Sequence, residues 1–279
     1  MSQGVTQAQF DAAIRKLPNG ERRRRRLVTD LAMSEFVRYN CVEVTEVKMT
    51  SWVLTGGFAL RHCYGASRLS LDVDLTTDPD MRIYGAGSED LRRPVGFDVD
   101  LAGTRLAEKS QKVRYLFKRL YGAGSFTVDL NVDRPLDNPP ALRRPFKSLL
   151  LPSFDVLVAS LEDLVADKVA GFLRFRHRGE VPRSRDMYDQ NFVFDSEQEF
   201  GVEVVRELLC ADPHVGSLFD PTGAKRASDV IAGLLDAEAL DRYRRDWAQS
   251  LADLIEEEEV PEFDAEYVRY LGHLRRLAL

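Results

Sequence analysis

Two aspartates separated by one residue, Asp72 and Asp74, are the side chains best suited to chemistry in this 279-residue sequence. They lie in the alternating segment SLDVDL, residues 70–75, which predicts a β-strand. Because successive side chains of a strand point to opposite faces, both carboxylates share one face and repel each other. A divalent cation such as Mg2+ removes this repulsion, since it binds carboxylate oxygens together with the oxygens of a substrate phosphate. The spacing therefore predicts a site for a metal ion and a phosphorylated substrate.

The glycine pair Gly56-Gly57 supplies a second part of such a site. It follows an apolar segment, 52–55, that predicts a short strand, and it precedes an amphipathic segment, 58–64, that predicts a short helix. Because glycine has no side chain, backbone N–H groups can approach a phosphate at the N-terminus of the helix. The order of strand, glycine pair, helix and D-x-D strand predicts a nucleoside triphosphate held by the glycine turn, with its metal ion on the two aspartates.

At these residues the sequence resembles the nucleotidyltransferase superfamily and, within it, the AbiEii/AbiGii toxins of bacterial toxin–antitoxin systems. That family typically reads G-G-[TF]-A-L, followed by R-x-S-x-D-[IV]-D-[LF]. The matching residues are Gly56, Gly57, Ala59, Leu60, Arg68, Ser70, Asp72, Asp74 and Leu75. The resemblance implies an α/β nucleotidyltransferase fold, an NTP substrate, Mg2+ as cofactor, and a cognate antitoxin that neutralises a growth-inhibiting activity.

A later segment resembles a second motif of the same family, in which a lysine is followed by a loop and by R-D-x-x-D. The corresponding residues here are Lys168, Arg185, Asp186 and Asp189. The resemblance implies that Lys168 and Asp186 complete the active site and that Lys168 and Arg185 bind the nucleotide. Without it, Lys168 would be interpreted as a helix residue whose ammonium extends to solvent beside an apolar stripe. Asp189 is expected to begin a helix or to support a residue of the site.

A third carboxylate is expected from segment 111–133, which has the form of a β-hairpin around the turn YGAGS. The family resemblance implies such a carboxylate on a strand next to the D-x-D strand, with Asp129 the first candidate and Asp133 the second. Beside the metal pair, Asp129 could take the proton of an attacking hydroxyl or complete a two-metal site. A solvated polar strand face explains the same alternation equally well.

A second D-x-D sequence, Asp98-Val99-Asp100, follows the first. It alternates in the same way, but no glycine turn and helix precede it. We therefore predict a peripheral strand there and assign it no metal ion.

Ser70 lies two residues before Asp72 and shares the face of the two carboxylates. One interpretation is a small polar residue that fits beside a phosphate. The other is a regulatory phosphosite, which is suggested by antitoxins of this class that act as kinases or promote autophosphorylation. A phosphate on Ser70 would add about two negative charges beside the metal pair and block the triphosphate.

The composition, 44% hydrophobic and 30% charged, is ordinary for a globular protein. No apolar run approaches the roughly 20 residues that a membrane span needs, and the N-terminus lacks the apolar core of a signal peptide. We therefore predict a cytoplasmic protein without a membrane partner. Cys41, Cys63 and Cys210 are far apart and odd in number, which favours buried thiols over a disulfide framework or a zinc site.

The net charge of −6 excludes a protein that is basic over its whole surface. Arginines are nevertheless concentrated at 22–26 and again between Arg174 and Arg185, where local basic faces could bind a polyanion such as RNA. For the first run, a solvated helix face is the favoured alternative. The acidic run Glu256–Glu259 is predicted to be a solvated helix end.

The predicted helices and strands divide the chain into two domains. Residues 1–160 comprise N-terminal helices and a nucleotidyltransferase core with a mixed sheet, and residues 161–279 form a helical domain that contributes to the active site. A helix is predicted to start after the N-cap Ser160. The proline-rich segment 134–147 predicts a loop or hinge.

The reaction expected from this arrangement is attack of an acceptor hydroxyl on the α-phosphate, with release of pyrophosphate. The resemblance implies that the acceptor is RNA, at the 3' end of tRNA. Two alternatives remain at this level: transfer to a protein hydroxyl or a small molecule, and a non-catalytic interaction protein that keeps the fold. Basic residues around the site favour RNA, and the presence of all four residues Asp72, Asp74, Lys168 and Asp186 disfavours a non-catalytic protein.

Overall fold

The computed structural model describes residues 5–40, 52–77, 96–107, 110–131, 141–177, 183–196, 199–218, 237–257 and 259–278. Asp133 and Cys41 lie outside the described residues, so the predictions for them are not tested. The chain divides into two compact units. The first comprises Met1–Ala159 and Asp253–Glu258, and the second comprises Ser160–Ala252 and Glu259–Leu279.

The described strands of the first unit form one mixed sheet. Their bounds are Val53–Thr55 (β1), Asp72–Thr76 (β2), Phe97–Leu106 (β3), Ser110–Arg119 (β4), Gly122–Asn131 (β5), Leu142–Phe146 (β6) and Phe154–Val158 (β7). The strand order is β3-β4-β5-β2-β1-β7-β6. The D-x-D strand β2 therefore lies in the middle of the sheet, antiparallel to β1 and parallel to β5.

Among the described residues of the first unit, three helices accompany this sheet: Gln7–Ile14 (α1), Gly20–Arg38 (α2) and Gly56–Tyr64 (α3). Helix α2 covers one face of the strands β3 to β5, because Phe36 packs against the rings of Phe97, Tyr115 and Phe126. The alternating burial of β4 follows from this packing, since every second residue faces α2 and the others are exposed. In β2 the buried Val73 and Leu75 alternate with the half-buried aspartates, which therefore lie on the other face.

Five helices of the second unit can be described: Leu161–His177 (α4), Ser184–Asp195 (α5), Val202–Ala211 (α6), Ala237–Leu251 (α7) and Phe263–Ala278 (α8). The side chain of Ser160 accepts a hydrogen bond from the backbone N–H of Asp163 at 3.2 Å, which confirms the predicted N-cap of α4. Within the described part of the chain, no helix is both long enough and apolar enough to span a bilayer. The mixed sheet, the N-terminal helices and the helical second unit confirm the predicted fold class.

Two segments predicted as connections are partly strands. The hairpin turn lies at Leu120-Tyr121, and the glycines of YGAGS belong to β5, where Gly124 leaves room for the ring of Phe117. The proline-rich segment contains β6, with Pro145 inside the strand. Proline is tolerated there because β6 is the last described strand of the sheet and pairs on one side with β7.

Two predictions about solvated charges are wrong at single residues. Arg23, within the arginine run of α2, has 0% of its surface exposed. Glu256 lies beyond the end of α7 and pairs with Arg23 and Arg61. These charges are far apart in sequence and neutralise each other, which a local pattern does not show. Of the two described cysteines, Cys63 is buried as predicted, whereas Cys210 is exposed.

Candidate active site

The glycine pair forms the first turn of α3, directly after β1. Gly56 has φ of 69°, a left-handed conformation that residues with a side chain rarely adopt. A methyl group at Gly56 would overlap the carboxylate of Asp74, and one at Gly57 would overlap the guanidinium of Arg68. Gly56 therefore requires glycine for its backbone conformation and for the contact with Asp74, whereas a side chain at Gly57 would have to displace the end of Arg68.

The aspartates of β2 lie on the same face of the sheet as Asp129. In the register of the parallel pair β2 and β5, Asp74 is opposite Asp129 and Asp72 is opposite Thr127. Neighbouring residues in register share a face, so the three carboxylates point to one side. Asp129 also forms an ion pair with Lys112 of β4, whose Nζ lies 2.8 Å from its Oδ2. From β2 through β5 to β4, one face of the sheet therefore carries the D-x-D pair, then Asp129, and then Lys112.

The donor set of Asp72 and Asp74 fits a hard divalent cation, because both side chains are carboxylates on one strand face beside the glycine turn. In the ranges that the structure describes, no three His, Cys, Asp or Glu side chains form a group that could hold a metal ion by themselves. Two carboxylates suit an ion that completes its coordination with substrate phosphates and water, as Mg2+ commonly does.

Arg68 and Ser70 line the same glycine turn. Arg68 is 3% exposed, its Nη1 donates to the carbonyl of Leu69 at 2.8 Å, and its Nη2 faces Gly57. The Ser70 hydroxyl would lie 3.3 Å from a methyl group at Gly57, and Ser70 is also buried. Arg68 was not among the residues predicted for the site, although it is the first residue of the pattern R-x-S-x-D that ends at Asp72.

The second unit brings together Lys168, Asp186 and Asp189. The ammonium of Lys168 donates to Oδ1 of Asp186 at 3.2 Å and to Oδ2 of Asp189 at 2.7 Å. The two aspartates are one turn apart on α5, so both side chains reach the same point on α4. Lys168 is only 8% exposed and does not extend to solvent. Asp189, at 1% exposure, lies inside α5 and compensates the buried ammonium.

Polar contacts fix the beginning of α5, which carries Asp186. Ser184 donates a hydrogen bond to Asp246 of α7 at 2.7 Å, and the Tyr243 hydroxyl donates to the carbonyl of Arg183 at 3.5 Å. Burial raises the pKa of Tyr243 well above its usual range, and the nearby Tyr270 and Asp186 add to this shift. The phenol therefore stays protonated and remains a hydrogen-bond donor.

The structure places the sequence-predicted residues in two groups, one in each unit. The first unit carries the glycine turn, Ser70 and the carboxylates of β2 and β5. The second unit carries the lysine of α4 and the residues Arg185, Asp186 and Asp189 of α5. The first group can hold a cation and phosphate groups, and the second offers a positively charged side chain fixed by two carboxylates.

Solved structures with the same fold include two bacterial proteins. MenT4, a nucleotidyltransferase toxin from Mycobacterium tuberculosis H37Rv, is similar at a TM-score of 0.63 and 21% identity, over 98% of this chain and 90% of that chain. JHP933 from Helicobacter pylori is similar at a TM-score of 0.54 and 14% identity, over 90% of this chain and 92% of that chain. At these identities the similarity shows the fold. A comparison with curated protein sequences found no match.

The sequence model of one protein family matches residues 43–267 of the chain. Its description is nucleotidyl transferase AbiEii toxin, type IV toxin–antitoxin system. The match spans the glycine turn, the D-x-D strand, Lys168 and the R-D-x-x-D sequence, and therefore both groups of site residues. The chain belongs to the AbiEii family of nucleotidyltransferase toxins of type IV toxin–antitoxin systems, enzymes that bind an NTP, use a divalent metal ion and have a cognate antitoxin.

Proposed function

We propose that this nucleotidyltransferase transfers a nucleoside monophosphate from an NTP to the 3' end of tRNA in a Mg2+-dependent reaction, and thereby inhibits growth. The observation that carries the proposal is the position of Asp74. Its carboxylate lies against Gly56 at the N-terminus of α3 and is in register with Asp129 on β5. One residue thus adjoins both the phosphate-binding turn and the third carboxylate.

The triphosphate is bound by the backbone and by cationic side chains. Backbone N–H groups at Gly56-Gly57 hold the β- and γ-phosphates, because the N-terminus of α3 presents unpaired donors and the positive end of the helix dipole. Lys168 and Arg185 bind the nucleotide, with Lys168 acting as a point charge and Asp186 completing the site. Mg2+ held by Asp72 and Asp74 would neutralise the negative charge that develops at the α-phosphate.

The transfer step forms one bond and breaks one. The acceptor hydroxyl oxygen attacks the α-phosphorus, the bond from the α-phosphorus to the bridging oxygen breaks, and pyrophosphate leaves with the electron pair. Asp129 takes the proton of the attacking hydroxyl. The position of Asp129 supports this role, because the carboxylate is in register with Asp74 and is held by the ion pair with Lys112.

The charges next to the carboxylates support an RNA acceptor. Lys112 is opposite Asp129 and Arg114 is opposite Thr127, so both cations share the face of the D-x-D pair. Their side chains are 46% and 47% exposed. Exposed cations beside the reacting group suit the phosphates of a polynucleotide, which supply most of the affinity for nucleic acids. Since NTPs and tRNA are cytoplasmic, the proposal also places the protein in the cytoplasm.

For Ser70 we propose that phosphorylation, promoted by the antitoxin, regulates this site. Its position beside Gly57 means that a phosphate on Ser70 would occupy the region assigned to the triphosphate. Because Ser70 is buried, modification requires the loop before β2 to open. Intact-mass analysis of toxin expressed with its antitoxin tests this role. An unshifted mass with full neutralisation would contradict it.

Incubation of the protein with each labelled NTP and total RNA, with and without Mg2+, tests the main proposal. We expect label in the tRNA fraction in the presence of Mg2+, and loss of the label when the 3' end of the tRNA is blocked. Label in protein or in small molecules would assign the enzyme to a different acceptor class. No label with any acceptor and any NTP would contradict nucleotidyl transfer.

A further inference from the structure

The segment 253–257 follows α7 along the chain and belongs to the first unit; we call it the strap. The N-cap residue of α2 holds its backbone: Asn19 Nδ2 donates to the carbonyls of Glu256 and Glu257 at 3.3 and 3.0 Å. Arg22 also donates to the Glu257 carbonyl, at 3.3 Å. These bonds connect the strap to a helix that belongs to the scaffold of the sheet.

The carboxylate of Glu256 joins the strap to a buried cluster of charges. It lies 3.6 Å from Nη1 of Arg23 and 3.5 Å from Nη1 of Arg61. Behind them, Asp30 is 3.2 Å from Nε2 of His62 and 3.5 Å from Nε of Arg61. Burial alone would raise the pKa of Asp30, but the charges of His62, Arg61 and Arg23 lower it overall. The cluster thus pairs several charges that would be costly to bury singly.

The strap also holds the loop between α3 and β2. The carbonyl of Leu254 accepts the backbone N–H of Leu69 at 2.7 Å, and the carboxylate of Glu257 accepts from the hydroxyl of Ser67 at 3.5 Å. Arg61, the partner of Glu256, donates to the carbonyl of Ser67 at 2.7 Å. Both ends of the segment 67–69 are therefore fixed by the strap or by a residue bound to it.

The residue in the middle of this loop is Arg68, whose guanidinium lies against Gly57. The loop continues directly into Ser70 and the strand of Asp72. A shift of the loop would therefore move the residues beside the glycine turn. Positioning errors of about 1 Å can cost an enzyme roughly 100-fold in rate.

We propose that Glu256 is a positioning residue for nucleotide binding, and that the strap keeps Arg68 and Ser70 in place against the glycine turn. Glu256 acts through Arg61 and Arg23 and through the strap backbone, without touching the nucleotide. This role rests on the proposed binding of the triphosphate at Gly56-Gly57. It assigns a function to an acidic segment that lies outside both sequence motifs.

The test uses the full-length protein with Glu256→Gln, the conservative variant Glu256→Asp and the matched control Glu259→Gln. Glu259 is exposed, lies outside the strap and undergoes the same loss of charge. Each of the four common ribonucleoside triphosphates is titrated to obtain Kd, and KM and kcat are measured with the NTP that binds best. Hydrogen exchange at the Leu69 amide reports the state of the loop independently of activity.

We expect Glu256→Gln to raise Kd and KM for the NTP about tenfold with a much smaller change in kcat. Exchange at Leu69 should become faster in the same variant, while Glu259→Gln matches the wild type and Glu256→Asp recovers most of the affinity. Equal Kd in Glu256→Gln and wild type would overturn the role of the strap and leave the proposed function intact. If the wild type itself binds no triphosphate, the proposed function fails.

Discussion

The tetrapeptide Asp-Val-Asp-Leu occurs twice in this chain, at 72–75 in β2 and at 98–101 in β3, and the two copies have different surroundings. The first lies in the middle of the sheet, whereas the second lies in the last strand on the side of β4 among the strands described. Leu75 is 2% exposed and Leu101 is 58% exposed. Identical sequences thus form a buried core strand in one place and a solvent-exposed strand in the other.

The polar contacts of the two copies differ in the same way. In β2, Asp74 adjoins the glycine turn and is opposite a third carboxylate. In β3, Asp100 accepts the backbone N–H of Ala102 at 3.1 Å and pairs with Arg114 at 3.6 Å, where the register of β3 and β4 becomes irregular. The second motif therefore stabilises a bulge. The chemistry of a D-x-D sequence depends on the strands and turns beside it.

The strongest test of this difference compares Asp72→Ala with Asp98→Ala. We expect Asp72→Ala to lower nucleotide incorporation about 1,000-fold, because it removes half of the carboxylate pair that we propose binds the metal ion. Asp98→Ala should keep incorporation and growth inhibition at the wild-type level. Rates of NTP incorporation and growth curves measure both effects. An Asp72→Ala variant that remained equally toxic would contradict the catalytic role of β2.

A second test asks whether the carboxylates of β2 support nucleotide incorporation without the lysine of the second unit. Lys168→Met should lower incorporation about 100-fold, since it removes the cation assigned to the triphosphate. It should also lower the free energy of unfolding by about 3 kcal/mol, because Asp189 stays buried without its ammonium. The double variant Lys168→Met with Asp189→Leu separates the two effects: we expect it to recover stability but not activity. Recovery of both would assign Lys168 a structural role only.

A third test concerns the glycine turn that distinguishes the first copy. Gly56→Ala should lower incorporation about 30-fold, because its methyl group would displace the carboxylate of Asp74. Gly65→Ala is the matched control, since Gly65 also has a positive φ, of 86°, but has open space around it. We expect both variants to lose a comparable free energy of unfolding, and only Gly56→Ala to lose activity. Equal activity in the two would show that the contact between Gly56 and Asp74 is dispensable.

A fourth test compares the cations of β4 that pair with the carboxylates of β5 and β3. Lys112→Met should reduce incorporation about fivefold, which corresponds to the ~1 kcal/mol of an exposed ion pair. Arg114→Met removes the partner of Asp100 and should have a smaller effect on the rate at saturating RNA. Rates of NTP incorporation at saturating RNA measure both effects. An undiminished rate in Lys112→Met would argue against a role for the pair of Lys112 and Asp129 in the reaction.

The smallest expected effect is that of Asp100→Ala. Incorporation should stay within about twofold of the wild type, and the free energy of unfolding should fall by about 0.5–1 kcal/mol as one hydrogen bond at the bulge is lost. Chemical denaturation and the incorporation assay measure the two quantities. A large loss of activity here would place β3 in the functional site and remove the contrast between the two copies.

Local patterns in the sequence predict most of the first unit. The glycine pair, the short helix and the alternation around Asp72 and Asp74 each depend on residues close in sequence, and the structure has these elements. The preceding glycine turn also distinguishes the two D-x-D copies correctly, since β3 lies at the side of the described sheet. The alternation of polar and apolar residues predicts that Asp129 lies on the polar face of its strand. It does not predict that Asp129 is in register with Asp74, because that depends on how β2 and β5 pair and these strands are separated by a hairpin.

What the sequence does not predict depends on contacts between distant segments. The burial of Arg23 requires Glu256, more than two hundred residues later, and a run of arginines gives no sign of it. The strand β6 contains a proline, and its pairing with β7 overrides the local preference for a loop. The buried ion pairs of Lys168 require α5 to pack beside α4, which the helical period of α4 alone does not specify.

The position of the strap has a consequence for synthesis of the toxin. The first unit is not one continuous stretch of chain, because its segment Asp253–Glu258 is made after most of the second unit. During translation the sheet and its glycine turn emerge early, and N-terminal domains generally fold first. The loop that carries Arg68 nevertheless lacks its Leu254 and Glu257 partners until the ribosome has passed residue 257. A nascent chain therefore completes the contacts of the loop beside the glycine turn only after most of the second unit has been made.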